Sequence, residues 1–129
     1  MAKSNVEILG YVSDEELEKL YAEAKAFIFP QEEDFGIAPV EAMASGRPVI
    51  AYAKGGALET VKKGVTGIFF EEQTPQCLIN AVRKFDPDVF QSTKIRQHAL
   101  NFDTKVFQRK IKNFIKEKYQ EYQKKHLKC

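Results

Sequence analysis

"AFIFPQEEDFGIAPVEAMASGRPVIAY", residues 26–52, is the stretch from which the fold is read. Its first residues are apolar and stop at Pro30, the pattern of a short strand whose ladder ends where the backbone N–H is lost. "QEEDFG" is charged and closes in glycine, so it reads as a loop. From Ile37 or Ala38 the pattern turns helical. Ala42, Met43, Ala44 and Ser45 supply a surface for close packing, and Gly46 ends the helix. "PVIAY" (48–52) is apolar again and follows at once. Strand, loop, helix and strand in this order make the crossover unit of a parallel sheet buried on both faces.

The same alternation continues on either side. Upstream, "VEILG" (6–10) reads as a strand, followed by a helix over "SDEELEKLYAEAK" with Ser13 as N-cap and Glu16 as its capping-box partner. Leu17, Leu20, Tyr21 and Ala24 share one face of that helix. Downstream, "ALETVKKG" reads as a helix ended by Gly64, "TGIFF" (66–70) as a strand, and "TPQCLINAVRKF" as a helix. The fold class expected is α/β: a Rossmann-like parallel sheet of about four strands, "VEILG" beside "AFIFP", with helices on both faces and right-handed crossovers. No internal repeat or low-complexity segment interrupts it.

The 129 residues, 43% hydrophobic and 29% charged, suit one globular domain. No apolar run reaches membrane-spanning length and "MAKSNVEILG" lacks a signal-peptide core, so the expected compartment is the cytoplasm. Cys77, Cys129, His98 and His126 stand apart without metal-ligand spacing, which leads to free thiols and no metal site as expectations. The net charge of +2 hides an asymmetry: nine Lys or Arg and two Glu lie from Lys105 onward, leaving eleven basic and sixteen acidic residues before it. Phe107, Ile111, Phe114, Ile115 and Tyr122 recur at helical spacing in that tail. Residues 105–129 are therefore expected to form a basic amphipathic helix packed on the domain of residues 1–104, with peripheral contact to anionic lipid as the other reading. Nucleic acid is not expected, because no recognition motif accompanies the charge.

In a doubly wound sheet, ligands sit beyond the carboxyl ends of the strands. The loop "QEEDFG" occupies such a place, and the first N–H groups of the helix after it favour an anion such as a phosphate or diphosphate. Gly36 allows close backbone approach. Glu33 precedes the helix and Glu41 lies about one turn inside it, so both carboxylates are expected to face one ligand. An isolated acid near a helix N-terminus gains roughly 0.3–1 kcal/mol from the macrodipole alone. The small-residue helix and the strand that follows it weigh towards a ligand site.

"FIFPQEEDFGIAPVEAMASGRPVIAYAKGGALETVKKGVTGIFF" resembles the C-terminal, nucleotide-sugar-binding domain of retaining GT-B glycosyltransferases, the group that includes glycogen synthase-like and mannosyltransferase-like enzymes. Glu33, seven residues and Glu41 match that family's E-x7-E signature, and the "EAMASGRPVIA", "GG…ETV" and "GVTGIFF" segments follow in the family's order. The resemblance covers about residues 5–85. It implies transfer of a hexosyl group, mannose or glucose, from a nucleoside diphosphate sugar to an acceptor hydroxyl, with no further cofactor. Glu33 would take the catalytic position beside the donor sugar, and Glu41 would bind the ribose hydroxyls. The backbone of Phe35, Gly36, Ile37 and Ala38 would contact the sugar and the distal phosphate. Gly10, Tyr11 and Val12 would receive the nucleobase, and Gly55 and Gly56 would serve close packing.

Two family parts have no counterpart in these residues, the cationic diphosphate clamp and the N-terminal acceptor-binding domain. The chain thus reads as a partial donor-binding domain, expected to be inactive alone and to self-associate through sheet edges. The other reading is a non-catalytic fragment or redesigned fold module.

Overall fold

The computed structural model describes residues 3–126. Three parallel strands form one sheet in the order β1 (Phe27–Phe29), β2 (Val49–Tyr52), β3 (Gly67–Phe70). Phe27 lies beside Val49 and Ile50 beside Ile68, so the register runs straight across the sheet. The helices are α1 (Asp14–Glu23), α2 (Ile37–Ala44), α3 (Ala57–Thr60), α4 (Pro75–Lys84), α5 (Ser92–Ala99) and α6 (Thr104–His126), with 3-10 turns at Pro87–Val89 and Leu100–Phe102.

β2 divides the core. Its side chains alternate between faces, and all four residues are buried. Val49 and Ala51 pack with Phe29, Met43, Ala57, Ile95 and Ala99 under α2, α3 and α5, whereas Ile50 and Tyr52 pack with Phe70 and Ala81 under α4. Helices therefore cover both faces, as continuous apolar strands require.

The segment "VEILG" forms no strand, so the sheet has three strands and not four. Val6 N bonds locally to Lys3 O, and Ile8 is 84% exposed. An outer place beside β1 offers one ladder and little burial. Net gains of about 0.5–1.5 kcal/mol per hydrogen bond do not offset about 1–2 kcal/mol per residue of backbone ordering. The helix α1 that follows has the expected capping box, Glu16 N bonding Ser13 Oγ and Ser13 N bonding Glu16 Oε2, yet none of its residues is buried.

One further expectation changes. α3 stops at Thr60 and not at Gly64, because Val61 turns extended and the Thr66 hydroxyl accepts from Lys62 N at 2.8 Å, turning the chain into β3. α6 spans 23 residues, but none is buried. It packs against the Leu100–Phe102 turn, while Phe114, Ile115, Tyr119 and Tyr122 stand exposed. Cys77 is a free thiol; Cys129 lies outside the described residues.

Candidate functional site

Beyond the carboxyl end of β1 the chain makes the turn that the crossover pattern calls for, and three anchors hold it. Gln73 Nε2 donates to Pro30 O at 2.8 Å, tying the end of β1 to the loop after β3. Gly56 N donates to Glu33 O at 2.7 Å. A Cβ at Gly55 would overlap Glu33 O, and one at Gly56 would overlap Asp34 O and the Phe35 backbone. The two glycines are thus needed because backbone lies on backbone, the packing role expected of them. The Phe35 ring meets Phe102 edge-on, with ring centroids 5.9 Å apart.

Gly36 then starts α2 from the left-handed region, φ 80°, with the Phe29 ring and Pro39 crowding the space a Cβ would take. A glycine N-cap brings no side chain, so the N–H groups of the first turn keep no side-chain partner. Pro39 in that turn has no N–H to satisfy and presets the helical φ. The result is an anion-favouring helix end opening on a depression of about 580 Å³ lined by Glu32, Glu33, Asp34, Phe35, Gly36, Ile37 and Ala38. The charge on its rim is mostly negative. Glu33 accepts from Gln31 Nε2, and Lys54 stands 4.0 Å from Glu32 with both side chains largely in solvent.

Glu41 lies elsewhere. It is the fifth residue of α2 and lines a separate depression of about 410 Å³ with Asp14, Leu17, Glu18, Tyr21, Ala44 and Ser45. The Tyr21 hydroxyl donates to Glu41 Oε2 at 3.4 Å. Burial, and then the adjacent Glu41 carboxylate, hold that phenol above its ordinary value of 10.0. Glu33 and Glu41 thus line two depressions, one at the start of α2 and one between α2 and α1. The helix turns about 100° per residue, and four residues beyond the helix start the side chain leans towards α1. Gly10, Tyr11 and Val12 line neither depression; they lie just before α1, Gly10 in the left-handed region with open space where a Cβ would point and Tyr11 96% exposed.

Several residues around the site escaped the sequence reading. Gln31 and Gln73 carry no signal beyond being polar loop residues. Phe102 reaches Phe35 from a segment with no helical or site pattern, and the spacing of Tyr21 points only to an apolar helix face.

A family model described as glycosyl transferases group 1 matches residues 1–102. The chain is 34% identical, over 99 residues, to the alpha-1,3/1,6-mannosyltransferase ALG2 of Rhizomucor pusillus, which covers 76% of this chain and 22% of that protein. Its fold matches sucrose-phosphate synthase from Thermosynechococcus elongatus with a TM-score of 0.74 and 28% identity, over 88% of this chain and 30% of that one. Anabaena HepE, solved in complex with UDP-glucose, shares the fold with a TM-score of 0.59 at 24% identity, over 77% of this chain and 29% of that one. The chain spans about a fifth of the length of the curated relatives it matches.

Proposed function

The chain belongs to the group 1 glycosyl transferases, and from that membership we propose that it forms the donor-binding part of a retaining enzyme. The reaction is transfer of a hexosyl group, mannose or glucose, from a nucleoside diphosphate sugar to an acceptor hydroxyl in glycan or polysaccharide synthesis. One observation carries the reading. The uncapped N-terminus of α2 opens on a depression at the carboxyl edge of the sheet, and its approach loop packs backbone to backbone on Gly55 and Gly56.

Each part of the donor then has a place. The distal phosphate meets the N–H groups of Ile37 and Ala38, where charge that develops on the leaving diphosphate is stabilised. The sugar lies against residues 33–36, with the Glu33 carboxylate beside the reacting carbon, orienting the sugar and stabilising an oxocarbenium-like state. The nucleoside runs along α2 towards α1, so that ribose hydroxyls take the place of Tyr21 at Glu41. The base comes to rest near Gly10, Tyr11 and Val12. With Glu32, Glu33 and Asp34 on the rim and Lys54 beside Glu32, the diphosphate needs cations from outside this depression, and the family's cationic clamp, a part of the donor-binding domain with no counterpart in these residues, is the natural source. No described helix is long and apolar enough to cross a membrane. The cytoplasmic setting, peripheral lipid contact through the basic α6 and self-association through the outer edges of β1 and β3 belong to the same proposal.

Calorimetry with UDP and GDP tests the reading. Glu41→Ala is expected to weaken nucleotide binding by roughly 1.5–3 kcal/mol, the range for a hydrogen bond to a charged group. In an enzyme that carries this domain with its acceptor side, Glu33→Ala should lower kcat more than donor affinity. Absence of nucleoside diphosphate binding to the chain and to that enzyme alike would favour the non-catalytic alternative.

A further inference from the structure

His98 lies on α5, far in sequence from the loop at residues 31–36, yet two chains of contact run from its ring to that loop. The first is polar. Thr60 is fully buried at the end of α3, and its carbonyl, like those of any last helical turn, has no partner within the helix. His98 Nε2 lies 2.9 Å from that oxygen. A carbonyl only accepts, so Nε2 carries the proton and donates. From Thr60 the path continues through its own hydroxyl, which donates to Gly56 O at 3.0 Å, to Gly56 N, which donates to Glu33 O at 2.7 Å. The second chain is aromatic. The His98 ring meets Phe102 edge-on with centroids 5.6 Å apart, and Phe102 meets Phe35 in the same manner.

The two routes converge on the backbone between Glu33 and Phe35. α3 is a single turn seated on the core through Ala57, and the two glycines before it offer the site loop only backbone, so the hold on its far end at Thr60 bears on how it meets that loop. We propose that His98 is a positioning residue: by holding the end of α3 and the Phe102 ring together, it sets the shape of the loop that presents Glu33, Phe35 and Gly36 to the ligand. The role of that loop in donor binding rests on the function proposed above; the mechanical link does not.

Two variants separate the contributions. His98→Leu removes the donor and retains an apolar side chain, while His98→Gln offers an amide N–H at about the reach of Nε2. Amide exchange followed by NMR reads the link directly through the Gly56 N–H. In His98→Leu that proton is expected to exchange about tenfold faster or more, as a local opening would produce, while the Ala53 N–H between β2 and β3 keeps its protection. His98→Gln should recover most of the Gly56 protection, and UDP or GDP affinity should fall and recover in parallel.

Unchanged Gly56 exchange in His98→Leu, or equal loss of protection at Gly56 and Ala53, would overturn the proposal, the latter by showing a general loss of stability. Should His98→Leu fail to fold, Phe102→Leu carries the test. It leaves the Thr60 bond in place and is expected to broaden the Phe35 and Gly36 amide signals, and unaltered signals would overturn the aromatic route. If the wild-type chain binds neither nucleotide, the donor-site reading fails on its own while the exchange measurements still decide the role of His98.

Discussion

Residues 6–9, Val-Glu-Ile-Leu, and residues 49–52, Val-Ile-Ala-Tyr, are similar apolar runs that each precede a turn and a helix, and they end in opposite states. The second is β2, paired on both sides and buried at every residue. The first has no ladder, and Val6, Ile8 and Leu9 are exposed. Apolar, β-branched composition confers the capacity to be a strand in both. The difference is that β2 is gripped by two neighbours and two helix layers, whereas a strand of residues 6–9 beside β1 would have a single neighbour at an edge where Ile28 is already exposed.

The contrast breaks most severely where β2 and β3 touch. Gly67 faces Val49 so closely that a Cβ would overlap the Val49 backbone. Gly67→Val is expected to cost more than about 4 kcal/mol and to abolish the cooperative transition in urea followed by circular dichroism. A midpoint equal to wild type would mean that the sheet tolerates separation of these strands. Next in size is Ile50→Ala, which empties a fully packed position between β2 and α4 and should lower stability by about 2–5 kcal/mol in the same assay.

A smaller effect tests how firmly α1, the helix that follows residues 6–9, is attached. Burial and the Glu41 carboxylate raise the Tyr21 phenol above 10.0 in the folded chain. Since the folded value is the higher one, the contribution is fully present below the unfolded value and is lost as pH rises through the folded one. Alkaline titration by ultraviolet absorbance should find Tyr21 above the ordinary tyrosine midpoint, and Glu41→Gln should move it down. An unmoved midpoint would show that α1 does not hold Tyr21 against Glu41 in solution. The smallest effect completes the comparison: Ile8→Ala, at an 84% exposed position, should change stability by no more than about 0.5 kcal/mol. A loss near that of Ile50→Ala would mean that residues 6–9 are buried in solution after all.

Legibility in the sequence followed the reach of each interaction. The Ser13–Glu16 capping box closes within one turn, and the reading of it matches the structure. So does the strand, loop, helix and strand of residues 26–52, where Pro30, Gly36 and Gly46 punctuate a single crossover. The early end of α3 was not legible, because the competing bond comes from Thr66, beyond the glycine that looked like the terminator. α5 escaped notice as well. Its main signal is burial of Ile95 and Ala99 against α2, a contact between segments some fifty residues apart in which Arg96 Nε also donates to Ala44 O.

The candidate site divides in the same way. By itself the sequence determined that residues 31–36 form a loop at the carboxyl end of a parallel strand, that a helix begins just after Gly36, and that two glycines at 55 and 56 pack closely. The first two follow from spacing and from backbone conformations that few residues can adopt; the glycine packing came with the family resemblance. Only the tertiary structure decided that Glu33 and Glu41 line different depressions, that Tyr21 holds one of them, and that His98 and Phe102 brace the other's loop. Those outcomes depend on which side chains meet across the sheet and between helices. Such a meeting is selected by the packing of the whole core, and nothing in the local pattern of either partner encodes it.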